Sequence, residues 1–141
     1  MGEIGPNFVV ADADVLPESV GIGVNGIVGF HLHVGSALFV VPELKLGFES
    51  PGTPNAFRVL GGVRVGLRQS ITPVAFAHVG GLVGDLEGFA WDAGAGLRFN
   101  FASAWSLGVT GAYNRAEAQI FTGSERPYEW VSATATLAVV L

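Results

Sequence analysis

Residues 89–100 read FAWDAGAGLRFN, and they alternate strictly between two kinds of side chain. The odd-numbered positions are all apolar, whereas the even-numbered positions hold Asp92, Arg98, Asn100 and small residues. Side chains that alternate with a period of two are typical of a β-strand whose faces have different surroundings. The stretch therefore predicts a strand with one charge-free face and one polar face.

The same alternation recurs along the rest of the chain. Five further clear segments are 20–33, 37–48, 57–68, 105–114 and 130–141. Two weaker segments, 7–15 and 74–84, raise the number of predicted strands to eight. Segment 74–84 is apolar on both faces, so its pattern does not decide which way His78 points. Glycine and aromatic residues spread through short apolar segments predict a closed all-β sheet.

Composition restricts the class of protein. The 141 residues suffice for one domain, which we place at 1–141 with residues 1–6 as an N-terminal tail. Half of the residues are hydrophobic and only 13% are charged, against about 25% in soluble domains. The absence of cysteine excludes disulfides and thiol chemistry, and the net charge of −5 argues against binding to nucleic acid.

The two faces of the strands carry very different side chains. One face has no charged residue in any of the six clear segments, and it is rich in Val, Leu, Phe and Trp. An eight-stranded barrel encloses only a narrow interior, which such bulky side chains cannot all enter. The charge-free face must therefore point outward, and a charge-free exterior is typical of a barrel in lipid. A soluble ligand-binding barrel, with the faces reversed, is the alternative.

The polar face then lines the lumen of the barrel. Its charged residues form a predicted lumen charge network of Glu43, Lys45, Arg58, Arg64, Arg68, Asp92 and Arg98. A buried charge without a partner is costly, so these groups should pair. A simple hairpin between 37–48 and 57–68 places Glu43 beside Arg64, and we expect this ion pair, extended by Asp92 and Arg98.

The connections between strands also alternate in character. Short turns at 33–36, 69–72 and 101–104 mark one end, which we assign to the periplasm. Acidic connections mark the other end, which we assign to the extracellular side. The connection at 117–128 is the longest, and it is the candidate contact with a partner.

Aromatic residues fall into two groups, one near each end of the predicted strands. Those near the short turns are Phe30, Phe76, Phe99, Phe101 and Trp105, of which we assign Phe30, Phe99 and Trp105 to a girdle. Those near the acidic connections are Phe48, Phe57, Phe89, Trp91, Tyr113, Tyr128 and Trp130. Two aromatic bands about a strand length apart are typical of interfacial girdles in a membrane barrel.

These features predict an all-β fold, a transmembrane antiparallel up-and-down β-barrel of eight strands, with short periplasmic turns and acidic extracellular loops. Over residues 7–141 the chain resembles the small eight-stranded bacterial outer-membrane proteins of the OmpA and OmpX types, as in GAGLRF at 94–99 and WSLGV at 105–109. The resemblance implies a monomer in the bacterial outer membrane, surrounded by bilayer lipid and lipopolysaccharide.

The sequence departs from this resemblance in three places. The chain ends in Leu141, where such proteins commonly end in an aromatic residue. Pro42 lies within a strand, where it cannot donate a hydrogen bond, so we expect a bulge or local break there. The residues after Met1 have neither the basic region nor the apolar core of a signal peptide, so an exported form would have lost its leader.

For function, the sequence favours a non-enzymatic structural or anchoring barrel without a cofactor. A narrow pore for small solutes or ions is one alternative. A lipid-modifying enzyme is another, because His31, His33 and Ser36 precede Glu43. An engineered or minimised barrel without a natural function is a third. Two histidines without a third ligand are a weak metal signal, and the GxGxxG pattern at 21–26 lies inside a strand rather than before a helix.

Overall fold

The computed structural model describes residues 1–11, 20–50, 56–84, 87–119 and 125–139, and these residues form β-strands joined by short turns. The strands are β1 (Gly2–Ala11), β2 (Val20–Gly29), β3 (Leu32–Val34), β4 (Leu38–Ser50), β5 (Ala56–Leu67), β6 (Ile71–Gly84), β7 (Glu87–Asn100), β8 (Trp105–Gln119) and β9 (Glu125–Val139). No helix in the described part of the chain is long and apolar enough to cross a membrane.

The strands form a closed antiparallel ring. Each long strand from β4 to β9 pairs with its neighbours in sequence, β1 pairs with both β2 and β9, and β2 pairs with β4. The short β3 follows β2 and pairs with the same strand, β4, so β2 and β3 together count as one strand. The described residues therefore build an eight-stranded barrel. Because the ring closes, no long strand leaves a free edge. The predicted eight-stranded up-and-down barrel is confirmed.

The gap between β2 and β3 is explained by Pro42. Phe30 lies opposite Pro42, and its amide donates to the Pro42 carbonyl oxygen at 3.2 Å. Pro42 has no N–H to return the bond to Phe30, so the ladder between β2 and β4 is interrupted there. The register is the same on both sides, with Gly29 opposite Glu43 and Leu32 opposite Val40. The expected disturbance at Pro42 is therefore a break in the opposing strand, between β2 and β3, and not a bulge.

The faces of the strands point as the sequence predicts. Leu97 and Val109, on the charge-free face, are 57% and 65% exposed, whereas Arg64 and Asp92, on the polar face, are 2% and 0% exposed. Val, Leu, Ile and Phe side chains cover the outside of the described strands, and polar and charged side chains lie within. This arrangement is the reverse of a soluble ligand-binding barrel, and a charge-free exterior is typical of a barrel in lipid.

The first strand begins earlier than the sequence predicts. We expected a tail at 1–6 and a strand at 7–15, but β1 starts at Gly2. Gly2 is held on both sides, because it pairs with Val28 of β2 and with Val139 of β9. The prediction of a tail is therefore wrong, and residues 12–15 lie outside the described part of the chain.

The structure describes the connections at one end of the barrel more completely than those at the other end. The turns before β4, β6 and β8 are short and lie at one end of the barrel, which we call the short-turn end; Gly35 has a φ of 69° in the first of them. The acidic connections at the opposite end fall largely on residues 12–19, 51–55, 85–86 and 120–124, outside the described residues, so their character remains a prediction. The predicted loop at 117–128 is too long, because Glu117 pairs with Pro127 and the β8–β9 ladder continues to Gln119 and Glu125.

Candidate functional site

Polar side chains meet at mid-height in the lumen of the barrel. Six of the seven residues of the predicted charge network are buried there or nearer the short-turn end: Glu43, Lys45, Arg58, Arg64, Asp92 and Arg98. Arg68 is the exception. It follows the last residue of β5, its amide donates to the Ala37 carbonyl oxygen, and its side chain is exposed at the short-turn end.

Glu43 and Arg64 form the ion pair that the sequence predicts. Nε and Nη2 of Arg64 donate to Oε1 of Glu43 at 3.2 Å and 3.1 Å. Nε also lies 3.1 Å from Oε2, within ion-pair distance. The two residues project inward from β4 and β5, whose register places Arg64 opposite Val41. Arg64 also lies over the ring of Phe76, with 5.6 Å between Cζ and the ring centroid. Two donors of one guanidinium thus converge on a single buried carboxylate oxygen, and the hydrogen bonds are charge-assisted.

Asp92 is the second acidic centre of the network. Nζ of Lys45 donates to its Oδ2 at 2.7 Å, and Nη1 of Arg58 lies 3.8 Å from the same oxygen. Arg98, which the sequence predicts to extend the network together with Asp92, lies apart from Asp92. It lies six positions further along β7, roughly 20 Å away in an extended strand, and its Nη1 contacts Sδ of Met1 at 3.1 Å.

His78 joins the two acidic centres, and the sequence did not identify it. Its Nε2 lies 2.7 Å from Oε1 of Glu43, and its Nδ1 lies 2.5 Å from Oδ1 of Asp92. An imidazole satisfies two such acceptors when both ring nitrogens donate. Room for the ring comes from Gly62, directly opposite on β5, because a Cβ there would overlap the ring and the Ala77 carbonyl oxygen.

Asn114 extends the network to the far wall of the lumen, and it too was missed. Its Oδ1 accepts from Nη1 of Arg58 at 2.7 Å, and its Nδ2 donates to Oγ of Ser132 at 3.0 Å. Arg58 lies over the ring of Trp130, 5.4 Å from its centroid. Asn114 falls on the polar face of segment 105–114, so its facing is readable from the sequence even though its partners are not.

Apolar side chains cover the network on both sides along the barrel axis. Towards the end opposite the short turns lies a buried cluster of Leu60, Leu82, Ala90, Ala116 and Tyr128, with Trp130 packed against it. Towards the short-turn end lies a second cluster of Phe39, Val41 and Val74, with Met1 packed against it. The central ion pairs of Glu43 and Asp92 therefore lie between two apolar clusters.

Most predicted girdle residues point outward, but two do not. The residues exposed on the outer surface are Phe30, Phe99, Trp105, Phe48, Phe57, Phe89 and Tyr113. Trp91 is partly exposed and packs against Tyr113, with ring centroids 5.6 Å apart. Tyr128 and Trp130 face the lumen, because they share the parity of the buried Ser132 on β9. Placing them in a girdle was wrong, while the girdle role of the others remains a prediction.

The histidines considered for catalysis lie at the short-turn end. The rings of His31 and His33 are 6.5 Å apart, and His31 stacks on Phe39 at 4.9 Å. Glu43, the candidate acid, instead binds Arg64 and His78 in the lumen. Over the described ranges, no three residues of the types His, Cys, Asp and Glu form a group that could hold a metal ion.

Comparison with known proteins places the fold. Similar solved structures include a de novo designed transmembrane β-barrel, with a TM-score of 0.54, 14% identity and coverage of 99% of this chain and 94% of the other. The outer-membrane enzyme PagL gives a TM-score of 0.52 and 14% identity, covering 99% of both chains. The chain has the fold of a small transmembrane β-barrel. The outer-membrane protein Ail of Yersinia pestis is more distant, with a TM-score of 0.40, 11% identity and coverage of 96% and 99%.

Sequence comparison adds no closer relative of this barrel. No protein-family model matches the chain. No curated protein matches it in sequence. The similarity to solved structures therefore informs the fold, and the activity has to be argued from the barrel's own side chains.

Proposed function

We propose that the protein is a non-enzymatic structural or anchoring barrel of the bacterial outer membrane, closed to solutes by its lumen network. The observation that carries this proposal is the unbroken line of contacts across the lumen. His78 on β6 contacts Glu43 on β4 and Asp92 on β7, and Asn114 on β8 links Arg58 on β5 to Ser132 on β9. Side chains from six strands thus meet within the barrel.

Burial supports a closed lumen over a pore. Glu43, Lys45, Arg58, Arg64 and Asp92 are each at least nine-tenths buried. A conducting pathway needs hydrated side chains along its length, whereas these charged groups are paired with one another. The apolar clusters on either side add two layers that water would have to cross. Bilayer lipid and lipopolysaccharide are the proposed surroundings, and the monomer is the proposed state.

Planar-bilayer recording tests the closed lumen. We expect no discrete current steps from the refolded wild-type protein, while a porin added to the same membrane serves as the conducting control. A parallel assay measures ion leakage from vesicles that contain the protein. Reproducible single-channel steps from the wild-type protein would contradict the proposal and favour the narrow pore.

A lipid-modifying enzyme is the second candidate, because PagL, which is described as an outer-membrane enzyme, has a similar fold. The candidate groups would be His31, His33 and Ser36. We expect lipid A to be unchanged, by mass spectrometry, after incubation with the refolded protein. Conversion that disappears in His31→Ala or His33→Ala, with an unaltered fold, would establish the enzyme instead.

A further inference from the structure

A polar recess opens at the short-turn end of the barrel, and it is lined by Arg68 and Arg98 of the predicted charge network. Its volume is about 600 Å³, and it is continuous with the surrounding solvent. The buried ring of Phe39 contributes to its wall. Along β4 the inward-facing residues run from Phe39, which lines the recess, through Val41 to Glu43 of the central ion pair.

The side chains around this recess are basic or neutral. Arg68 and Arg98 contribute guanidinium groups, and His31 and His33 contribute imidazoles. None of the described residues that line the recess carries a carboxylate. In a protein with a net charge of −5, a recess with this composition is a local concentration of positive groups. Such a concave surface favours anions.

The basic groups are held in different ways. Arg98 is buried and contacts Sδ of Met1 through Nη1. Arg68 is exposed and projects from a turn whose geometry is fixed by hydrogen bonds. In that turn, Oγ1 of Thr72 donates to the Gln69 carbonyl oxygen at 2.9 Å, and Nδ2 of Asn100 donates to the same oxygen at 3.1 Å. The recess therefore combines a fixed basic wall with an accessible guanidinium.

We propose that this recess binds a phosphate-bearing anion, with Arg68 and Arg98 as the principal hydrogen-bond donors. Guanidinium groups present parallel N–H donors that match two oxygens of a phosphate. The volume accommodates a phosphate group together with part of its carrier. The ring of Phe39 adds an apolar wall to the recess, which lowers the local polarity and strengthens the attraction.

Two sources supply phosphate at this position. Phe101 and Trp105 are exposed at the same end of the barrel, where aromatic side chains are typical of the lipid headgroup level. A headgroup phosphate from the bordering leaflet is one source, and a soluble phosphate compound on that side of the membrane is the other. Anion binding in this recess goes beyond the proposed function, because it requires neither a closed nor an open lumen.

The test is a calorimetric titration of the refolded protein in a sugar-based detergent that contains no phosphate. One arm adds inorganic phosphate, and the other adds mixed micelles that contain phosphatidic acid. We expect saturable binding that weakens about tenfold or more in Arg68→Ala, because a charge-assisted hydrogen bond is lost. Arg115→Ala is the matched control, since Arg115 lies outside the recess, beside Glu129, and should bind as the wild type does.

The outcomes separate the sources and decide the proposal. Saturation by inorganic phosphate assigns the recess to a soluble anion, and saturation only by phosphatidic acid assigns it to a headgroup. Absence of saturable binding in both arms, or equal affinities for the wild type and Arg68→Ala, overturns the proposal. If Arg68→Ala does not refold, Arg68→Gln takes its place, because it removes the charge and keeps most of the side-chain volume, and unchanged binding in it overturns the proposal equally.

Discussion

His78 is the residue on which the centre of the barrel depends. It separates two carboxylates, Glu43 and Asp92, and contacts both. Each carboxylate also has a cationic partner: Arg64 pairs with Glu43, and Lys45 pairs with Asp92. Removing one member of a buried pair leaves its partner charged and unsolvated. The free energy of unfolding therefore falls far more than it does when a pair at the surface is lost.

Arg64→Ala should therefore destabilise the barrel by about 3–5 kcal/mol, because Glu43 loses its guanidinium partner. Arg115→Ala is the matched control, since Arg115 is partly exposed and pairs with Glu129 at 3.2 Å on the outer surface. Its loss should change stability by no more than about 1 kcal/mol. Equilibrium unfolding in urea compares the two variants, and coincident midpoints would refute the assignment.

Neighbouring glycines on β5 give a second comparison at single positions. A Cβ on Gly62 would overlap the His78 ring and the Ala77 carbonyl oxygen, whereas a Cβ on Gly61 meets no atom within 4 Å. Gly62→Ala should destabilise the protein by about 1–3 kcal/mol through overpacking. Gly61→Ala should be neutral or stabilising by about 0.4–1 kcal/mol. The same urea assay measures both, and equal effects would show that the His78 ring does not fill that space.

How far the sequence predicts the centre depends on the residue. The Glu43–Arg64 pair follows from alternation and a hairpin register, both of which are local properties. His78 does not follow, because its segment is apolar on both faces and gives no facing. Its role depends on strands that are distant in sequence and meet only when the barrel closes.

The strands as elements show what alternation does and does not specify. The odd or even position of a residue along its strand assigns the lipid and lumen faces of each clear strand correctly. The same rule places Tyr128 and Trp130 inside the barrel, whereas grouping the aromatic residues by their closeness to a barrel end wrongly put both in a girdle. Alternation does not fix where a strand begins, so β1 was predicted five residues late. The pairing of Gly2 on both sides decides that boundary.

A substitution on the outer face of β8 tests whether that face lies in lipid. Val109 lies midway between Trp105 and Tyr113 on the exposed face. Val109→Arg should cost about 2–4 kcal/mol of folding free energy in vesicles, the cost of an arginine at the bilayer midplane. Ser103→Arg, in the turn before β8, should cost about 1 kcal/mol or less. Equal effects of the two substitutions would contradict a bilayer around β8.

The whole molecule combines a closed ring of strands with an interior that is filled from wall to wall. The described long strands are paired on both sides, and the interior network joins strands that are not neighbours in the ring: Lys45 of β4 bonds to Asp92 of β7, and Arg58 of β5 bonds to Asn114 of β8. Opening such a barrel requires the loss of a complete ladder together with buried ion pairs. A barrel of this kind should unfold cooperatively and slowly.

Gel electrophoresis in detergent tests this expectation for the intact barrel. Protein refolded into micelles should migrate at a different apparent mass before boiling than after boiling, because the compact barrel resists the detergent. A detergent-free sample should precipitate, since the exterior is apolar. A monomer that stays soluble without detergent would contradict the membrane assignment.

The ladder between β1 and β9 completes the ring through residues that are far apart in sequence. Gly2 of β1 pairs with Val139 of β9, and all the other strands lie between them along the chain. Formation of this ladder requires closure of a long loop, which delays completion of the ring until β9 has been synthesised. The same adjacency makes the barrel a candidate for circular permutation: a short linker could join β9 to β1 while new ends open in the turn at 101–104.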